Sequence, residues 1–344
     1  MSVSSAPSAT SPNFVSDIMQ LATGCMSTAC LHAAAKLKIA DLLASGPKTA
    51  AEMAGACGVK EDALYRVLRA LASVKVFRET AARMFVNTPI SEQIRSDVAG
   101  SARDTVIFIA NPLHLRVFGE LMHSIESGET AFKKVTGLDA FEFFRQNTEE
   151  NREFNAAMTS ITTSFIGPAL AAYDFGGSGT LADIGGGHGF LLTAILQKHP
   201  GLCGIVFDLP HVVDGAKPRI GSLGLTSRCE IAAGDFFQVV PHADSYVLKS
   251  IIHDWDDTRA VTILKNCARA MRGNGGKVIL LEFVIDPGNE PSMGKWIDLE
   301  MLTMAGGRER TEAEFAELFA KAGLRLTRVV RTASPQCVIE SVKA

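Results

Sequence analysis

The sequence is poor in the signatures that would place it in a special class. Its seven cysteines (25, 30, 57, 203, 229, 267 and 337) form no C-x-x-C pair and are odd in number. That excludes a disulfide framework or a zinc-finger set as the organising principle, and the thiols read as reduced and structural. The eight histidines include no H-x₃-H pair. No apolar run approaches the ~20 residues that span a bilayer. The first thirteen residues carry neither a basic start nor an apolar stretch, so no signal peptide and no membrane anchor are expected, and a cytoplasmic location is. A formal net charge of -3 provides no global field to gather nucleic acid or anionic lipid.

What is present is an ordinary globular balance, 47% hydrophobic and 21% charged, over 344 residues, enough for roughly two domains. Residues 1–13 read as a disordered tail. Residues 14–101 predict a helical module. Small residues are frequent from Val15 to Ala44, Thr49 and Glu52 form a capping-box pattern, and a second helix runs from Asp62 to Ala72. Two short strands, Val76–Arg78 and Met84–Val86, follow. This is the pattern of a winged helix-turn-helix, with nine basic and six acidic residues between Lys48 and Arg103. So slight a surplus does not make a phosphate-binding face, and the module reads as structural or dimerising. Residues 102–175 predict a helical linker rich in Phe and Met. From 176 to 344 strands and helices alternate, which predicts an α/β doubly wound sheet.

The first strand of that sheet, Thr180–Ile184, runs into Gly185-Gly-Gly-His-Gly189. Such a turn brings a ligand close to backbone N–H groups at a helix N-terminus. The spacing G-x-G-x-G lacks the sixth-position glycine of a dinucleotide site, since Phe190 or Leu192 stands there, and no Gly-Lys-Ser/Thr follows as in a P-loop. Asp183, Asp208 and Asp235 end successive strands. A row of carboxylates suits ribose hydroxyls and a cationic sulfonium and repels a pyrophosphate.

These residues, with Phe207-Asp-Leu-Pro210, Gly234-Asp-Phe-Phe237, Leu248-Lys-Ser-Ile-Ile-His-Asp-Trp-Asp-Asp257 and Gly306-Gly-Arg-Glu-Arg-Thr311, carry a resemblance over nearly the whole chain. The sequence resembles the class I S-adenosylmethionine-dependent small-molecule O-methyltransferases of the caffeate and acetylserotonin type, found in plants and microbes. The resemblance implies S-adenosylmethionine as cofactor, with S-adenosylhomocysteine as product. It implies binding through Gly185, Asp208 (ribose), Gly234, Asp235 and Phe236 (adenine), and Lys249 (methionine portion). It also implies a homodimer built by the N-terminal region and a place in secondary metabolism.

His253 lies just beyond a strand end, where a positioned imidazole can take the proton of a hydroxyl undergoing methylation. A phenol near pKa ~10 and a histidine near ~6.5 leave about 5 kcal/mol of unfavourable transfer, which a flanking carboxylate would reduce. An aliphatic alcohol, with acidity nearer that of water at ~15.7, would add several units, so a phenol or enol is expected. In the family, Glu282 and Glu309 occupy the positions that flank the base. No metal is expected. Phe154, Met158, Asp254, Trp255, Trp296, Met301 and Met304 are candidates for an acceptor site suited to a flat apolar ring. Ile161 stands where the family often has a polar residue, which points away from phenylpropanoids. The sequence alone leaves two other readings open: a ligand-sensing winged-helix regulator, and a relative with altered chemistry such as decarboxylation or hydroxylation.

Overall fold

The computed structural model describes residues 14–177, 179–273 and 275–344; the expected tail at 1–13 lies outside them. The described residues divide into two compact units, the first ending at Leu115 and the second running from Arg116 to Ala344.

In the first unit, helices Phe14–Ala22 and Gly24–Lys36 precede the helix pair Ala50–Cys57 and Glu61–Ser73. The expected capping box forms: Glu52 N donates to Thr49 Oγ1 at 3.2 Å, and Thr49 N donates to Glu52 Oε2 at 2.6 Å. Strands β1 (Lys48–Thr49), β2 (Phe77–Ala81) and β3 (Met84–Asn87) form a small antiparallel sheet in the order β1-β3-β2, which is the wing. Ile39, Met53, Leu68, Leu71, Phe77 and Phe85 fill the core beneath it. The helix Arg103–Ile109 also belongs to this unit.

In the second unit, helices Leu121–Ser127, Ala131–Thr136, Ala140–Gln146 and Thr148–Ala172 precede the sheet. Its strands are β4 (Thr180–Ile184), β5 (Cys203–Asp208), β6 (Cys229–Ala233), β7 (Ser245–Lys249), β8 (Lys277–Glu282), β9 (Leu324–Arg331) and β10 (Cys337–Lys343). They lie in the order β6-β5-β4-β7-β8-β10-β9, parallel from β6 to β8, with β10 inserted antiparallel between β8 and β9. Alternate side chains fill two cores. Ala182, Tyr246, Leu248, Val278 and Leu280 pack with helices Asp257–Ala270 and Glu312–Lys321. Leu181, Val206, Val247, Ile279 and Val338 pack with helix Phe190–Lys198 and with the end of Thr148–Ala172. Burial of each large apolar side chain contributes about 1.5–3 kcal/mol, so both faces of the sheet are firmly held.

The apolar run from Val278 to Ile285 is a strand only as far as Glu282, where β10 also begins its pairing (Cys337 opposite Glu282). Glu282 is therefore the last residue of β8. The chain order reverses between β4 and β7, and this switch point opens a crevice beyond their carboxyl ends. The glycine turn and the His253 loop both start there. Among the described residues no helix is long and apolar enough to cross a membrane.

Candidate active site

The glycine turn hangs from the end of the neighbouring strand, because Gly185 N and Gly186 N both donate to Phe207 O, at 2.9 and 3.1 Å. Gly185 has φ 69°, and a Cβ placed on it would collide with Ile251 Cδ1. Glycine is thus required twice over, by backbone conformation and by the approach of the His253 loop. Asp208, the last residue of β5, accepts from Gly187 N at 2.8 Å and Leu209 N at 2.7 Å, and Gly234 N donates to its carbonyl at 3.0 Å. Asp235 accepts from Phe237 N at 2.8 Å and so shapes its own turn.

Buried charge crowds the crevice. Burial pushes Asp183 up to about 7, the charge of Asp208 adding and that of Lys249 opposing. One Asp183 oxygen, Oδ2, has no hydrogen-bond partner among the described residues. Burial likewise raises Asp208 and Glu282, and lowers Lys249 against the pull of Glu282, Asp183 and Asp254. An excess of desolvated carboxylate, one oxygen orphaned, fits a cationic ligand that also brings hydroxyl donors. It does not fit a polyphosphate.

His253 is held in a short turn, Ile252–Asp254, after the bend at Ser250, whose φ of 52° turns the chain out of β7. The ring Nδ1 donates to Glu309 Oε1 at 2.6 Å and lies 3.7 Å from Glu282 Oε2; Nε2 stands 3.5 Å from Asp254 Oδ1. Burial disfavours a charged ring here, but the charges of Glu282, Asp254 and Glu309 outweigh it and push the imidazole up to about 10. Burial also raises Asp254, to about 6. Glu282 in addition fixes the loop that carries the histidine, because its Oε1 accepts from Ile251 N and Ile252 N, at 3.0 and 2.9 Å. The ring and the two glutamates have ligand atoms within 4.8 Å of one another, a set whose chemistry allows either a proton relay or a metal ion.

Trp255 packs edge-on against Phe236 and Phe237, with centroids 6.1 and 4.8 Å away, and stacks on Phe141 at 5.7 Å. It therefore joins the residues expected around adenine to the helical region. Phe154 stacks on Phe144 at 4.7 Å from the long helix that also carries Met158. Met301 and Met304 are buried in the π turn Met301–Ala305. Trp296 is 67% exposed and has no place among these buried groups. An ion pair of Glu309 with Arg308 or Arg310, its neighbours in the chain, does not form: Arg308 pairs with Glu314 and Arg310 with Asp257.

Sequence reasoning passes over Arg310, Asp298 and Gln336. Asp298 accepts from Glu309 N at 2.8 Å, and Gln336 Nε2 donates to Ser250 Oγ at 2.8 Å. Arg310 lies inside the Gly306–Thr311 motif, but nothing in that motif signals which groups its side chain bonds, and Asp298 and Gln336 stand in no motif.

Comparison with known proteins matches residues 118–325 to an O-methyltransferase domain and residues 19–95 to an O-methyltransferase dimerisation domain. The chain is 42% identical over 325 residues to a phenazine O-methyltransferase of Lysobacter antibioticus, covering 94% of this chain and 95% of that protein. It is 36% identical to a mitomycin biosynthesis 6-O-methyltransferase of Streptomyces lavendulae, covering 96% and 94%. Among solved structures it resembles the O-methyltransferase NcsB1 from neocarzinostatin biosynthesis, in complex with S-adenosylmethionine and 2-hydroxy-5-methyl naphthoic acid. That match has 35% identity, a TM-score of 0.77, and coverage of 93% of this chain and 96% of the other.

Proposed function

The chain belongs to the S-adenosylmethionine-dependent O-methyltransferases, and we propose that it methylates a phenolic or enolic hydroxyl on a planar, largely apolar polycyclic acceptor, with His253 as the general base. The contact of His253 with Glu309 at the sheet's switch point carries this reading. Glu309 fixes Nδ1 as the protonated nitrogen and leaves Nε2 to take the acceptor proton. Glu282 supports the resulting imidazolium through its charge.

The magnitudes agree. An ordinary imidazole falls ~3.5 units short of a phenol of pKa ~10. At about 10, His253 matches it. The proton can then leave the hydroxyl without a large uphill step. The relatives named for phenazine, mitomycin and naphthoate chemistry support a polycyclic acceptor.

When bound, S-adenosylmethionine supplies an electrophilic methyl group on a sulfonium. Gly185 and Gly234 would leave room for it, Asp208 would accept from the ribose hydroxyls, Asp235 and Phe236 would frame the adenine, and Lys249 would meet the methionine portion. Trp255 extends the adenine wall through its contacts with Phe236 and Phe237. Phe154, Met158, Met301 and Met304 would enclose the acceptor, with Asp254 beside Nε2 to orient its hydroxyl.

No metal ion is assigned to the histidine–glutamate cluster. The Nδ1 lone pair that would bind a metal carries the proton donated to Glu309. In the first unit, Phe14, Val15, Ile18, Met19, Leu21 and Met26 are exposed apolar side chains on two successive helices. Together with the dimerisation-domain match they support a homodimer.

His253→Ala tests the assignment. Turnover of a phenolic acceptor should fall by at least about a hundredfold, the range for a lost general base, while calorimetric binding of S-adenosylhomocysteine stays near wild type. A mutant that keeps most of its turnover refutes the assignment.

A further inference from the structure

Arg310 is among the largest fully buried side chains, 1% exposed, in a chain whose other guanidinium groups lie mostly at the surface. Its fork ties together two loops. Nη1 donates to Ile252 O at 3.2 Å and to Arg308 O at 3.2 Å. Nη2 donates to Trp255 O at 2.9 Å and to Asp257 Oδ1 at 2.8 Å, and Nε reaches the same Asp257 oxygen at 3.1 Å. Ile252 and Trp255 flank His253 and Asp254, and Arg308 precedes Glu309. One planar cation thus bonds to the carbonyls before and after the base and to the loop bearing its carboxylate partner.

Other contacts close the join. Arg308 N donates to His253 O at 2.8 Å, and a Cβ on Gly307 would overlap that same carbonyl oxygen. On the far side Ile285 N donates to Arg310 O at 3.0 Å, anchoring the Arg310 backbone beyond the end of β8. The amide side of the His253 loop is held by Glu282, and its carbonyl side by Arg310 and Arg308 N.

We infer that Arg310 is a positioning residue for methyl transfer, a clamp that sets the His253 ring against Glu309 by holding both loops at once. The inference rests on the proposed role of His253 as base. A lysine in its place keeps the charge but is a single point donor and cannot reach four acceptors in a plane. The two loops would then be joined, among the described residues, only by the Arg308 N–His253 O bond and the His253–Glu309 pair itself, and an ångström of misplacement at a reacting group costs about a hundredfold in rate.

The experiment compares wild type with Arg310→Lys in thermal unfolding, S-adenosylhomocysteine binding, and kcat and KM across pH. A folded Arg310→Lys protein should bind the product nucleoside as wild type does and keep KM within a few-fold. Its kcat should fall about ten- to hundredfold, and the rise of kcat with pH should move to lower pH as Glu309 drifts from Nδ1. A folded variant with wild-type kcat and an unmoved profile overturns the clamp. Should Arg310→Lys fail to fold, Asp257→Asn gives the readout. Asp257 is half-exposed and holds only the outer edge of the fork, so a smaller loss of kcat with the same acid shift is expected. An unmoved profile there overturns the clamp as well. The two ideas fail separately: turnover by His253→Ala refutes the base, whereas an inert His253→Ala beside an unaffected Arg310 variant refutes only the clamp.

Discussion

The Nδ1 of His253 and the Oε1 of Glu309 lie 2.6 Å apart although 56 positions separate them in the chain. The pair is buried, with side chains 10% and 0% exposed, so its charge is poorly screened and its geometry governs the protonation of the ring. Three consequences can be measured.

The first concerns pH. Because His253 is pushed up to about 10, most of the enzyme carries an imidazolium near neutrality, and only the deprotonated fraction can accept a proton. In the absence of other titrations, kcat/KM should climb about tenfold per pH unit from neutrality and level off near the histidine's pKa. Stability runs the opposite way. A folded-state pKa above the unfolded value of about 6.5 stabilises fully below that pH. That contribution is lost as pH rises through about 10. Glu309→Gln removes one raising charge and should move the rate profile to lower pH. A profile unchanged by that substitution would remove Glu309 from the relay.

A second consequence follows from the glycine turn. Gly185→Ala must hold an alanine in the left-handed region, at a cost of order 1–3 kcal/mol, and its methyl group displaces Ile251. The expected result is at least about tenfold weaker calorimetric binding of S-adenosylhomocysteine, with a lower unfolding midpoint. Unchanged affinity would mean that the turn does not cradle the cofactor.

The third concerns metal. His253, Glu282 and Glu309 form a buried cluster with the composition of a metal site. Since Nδ1 is taken as the proton donor to Glu309, exhaustive dialysis against a chelator should leave turnover unchanged, and added magnesium should not raise it. Activity lost to the chelator and regained with a divalent ion would assign the cluster to a metal instead.

Much of this molecule is legible in its sequence because the relevant signals are local. The capping box at Thr49, the spacing of the glycines after β4 and the alternation of strands and helices each depend on hydrogen bonds or periodicity within a few residues. They predict the elements to within a few positions, and the family's motifs name the candidate residues. What the tertiary structure decided is how distant segments meet. β8 ends at Glu282, opposite the first residue of β10, and there its carboxylate meets the Ile251 and Ile252 amides of the His253 loop, 31 and 30 residues earlier in the chain. Trp255, expected only at the acceptor, sits against Phe236 and Phe237 because the turn after β7 folds back over the end of β6. Arg310 has no assigned role in the sequence, and only the crossing of its loop with that of His253 buries it among four acceptors. Local sequence fixes which groups are available. Their mutual distances come from the packing of the whole sheet, a sum over contacts that no single segment contains.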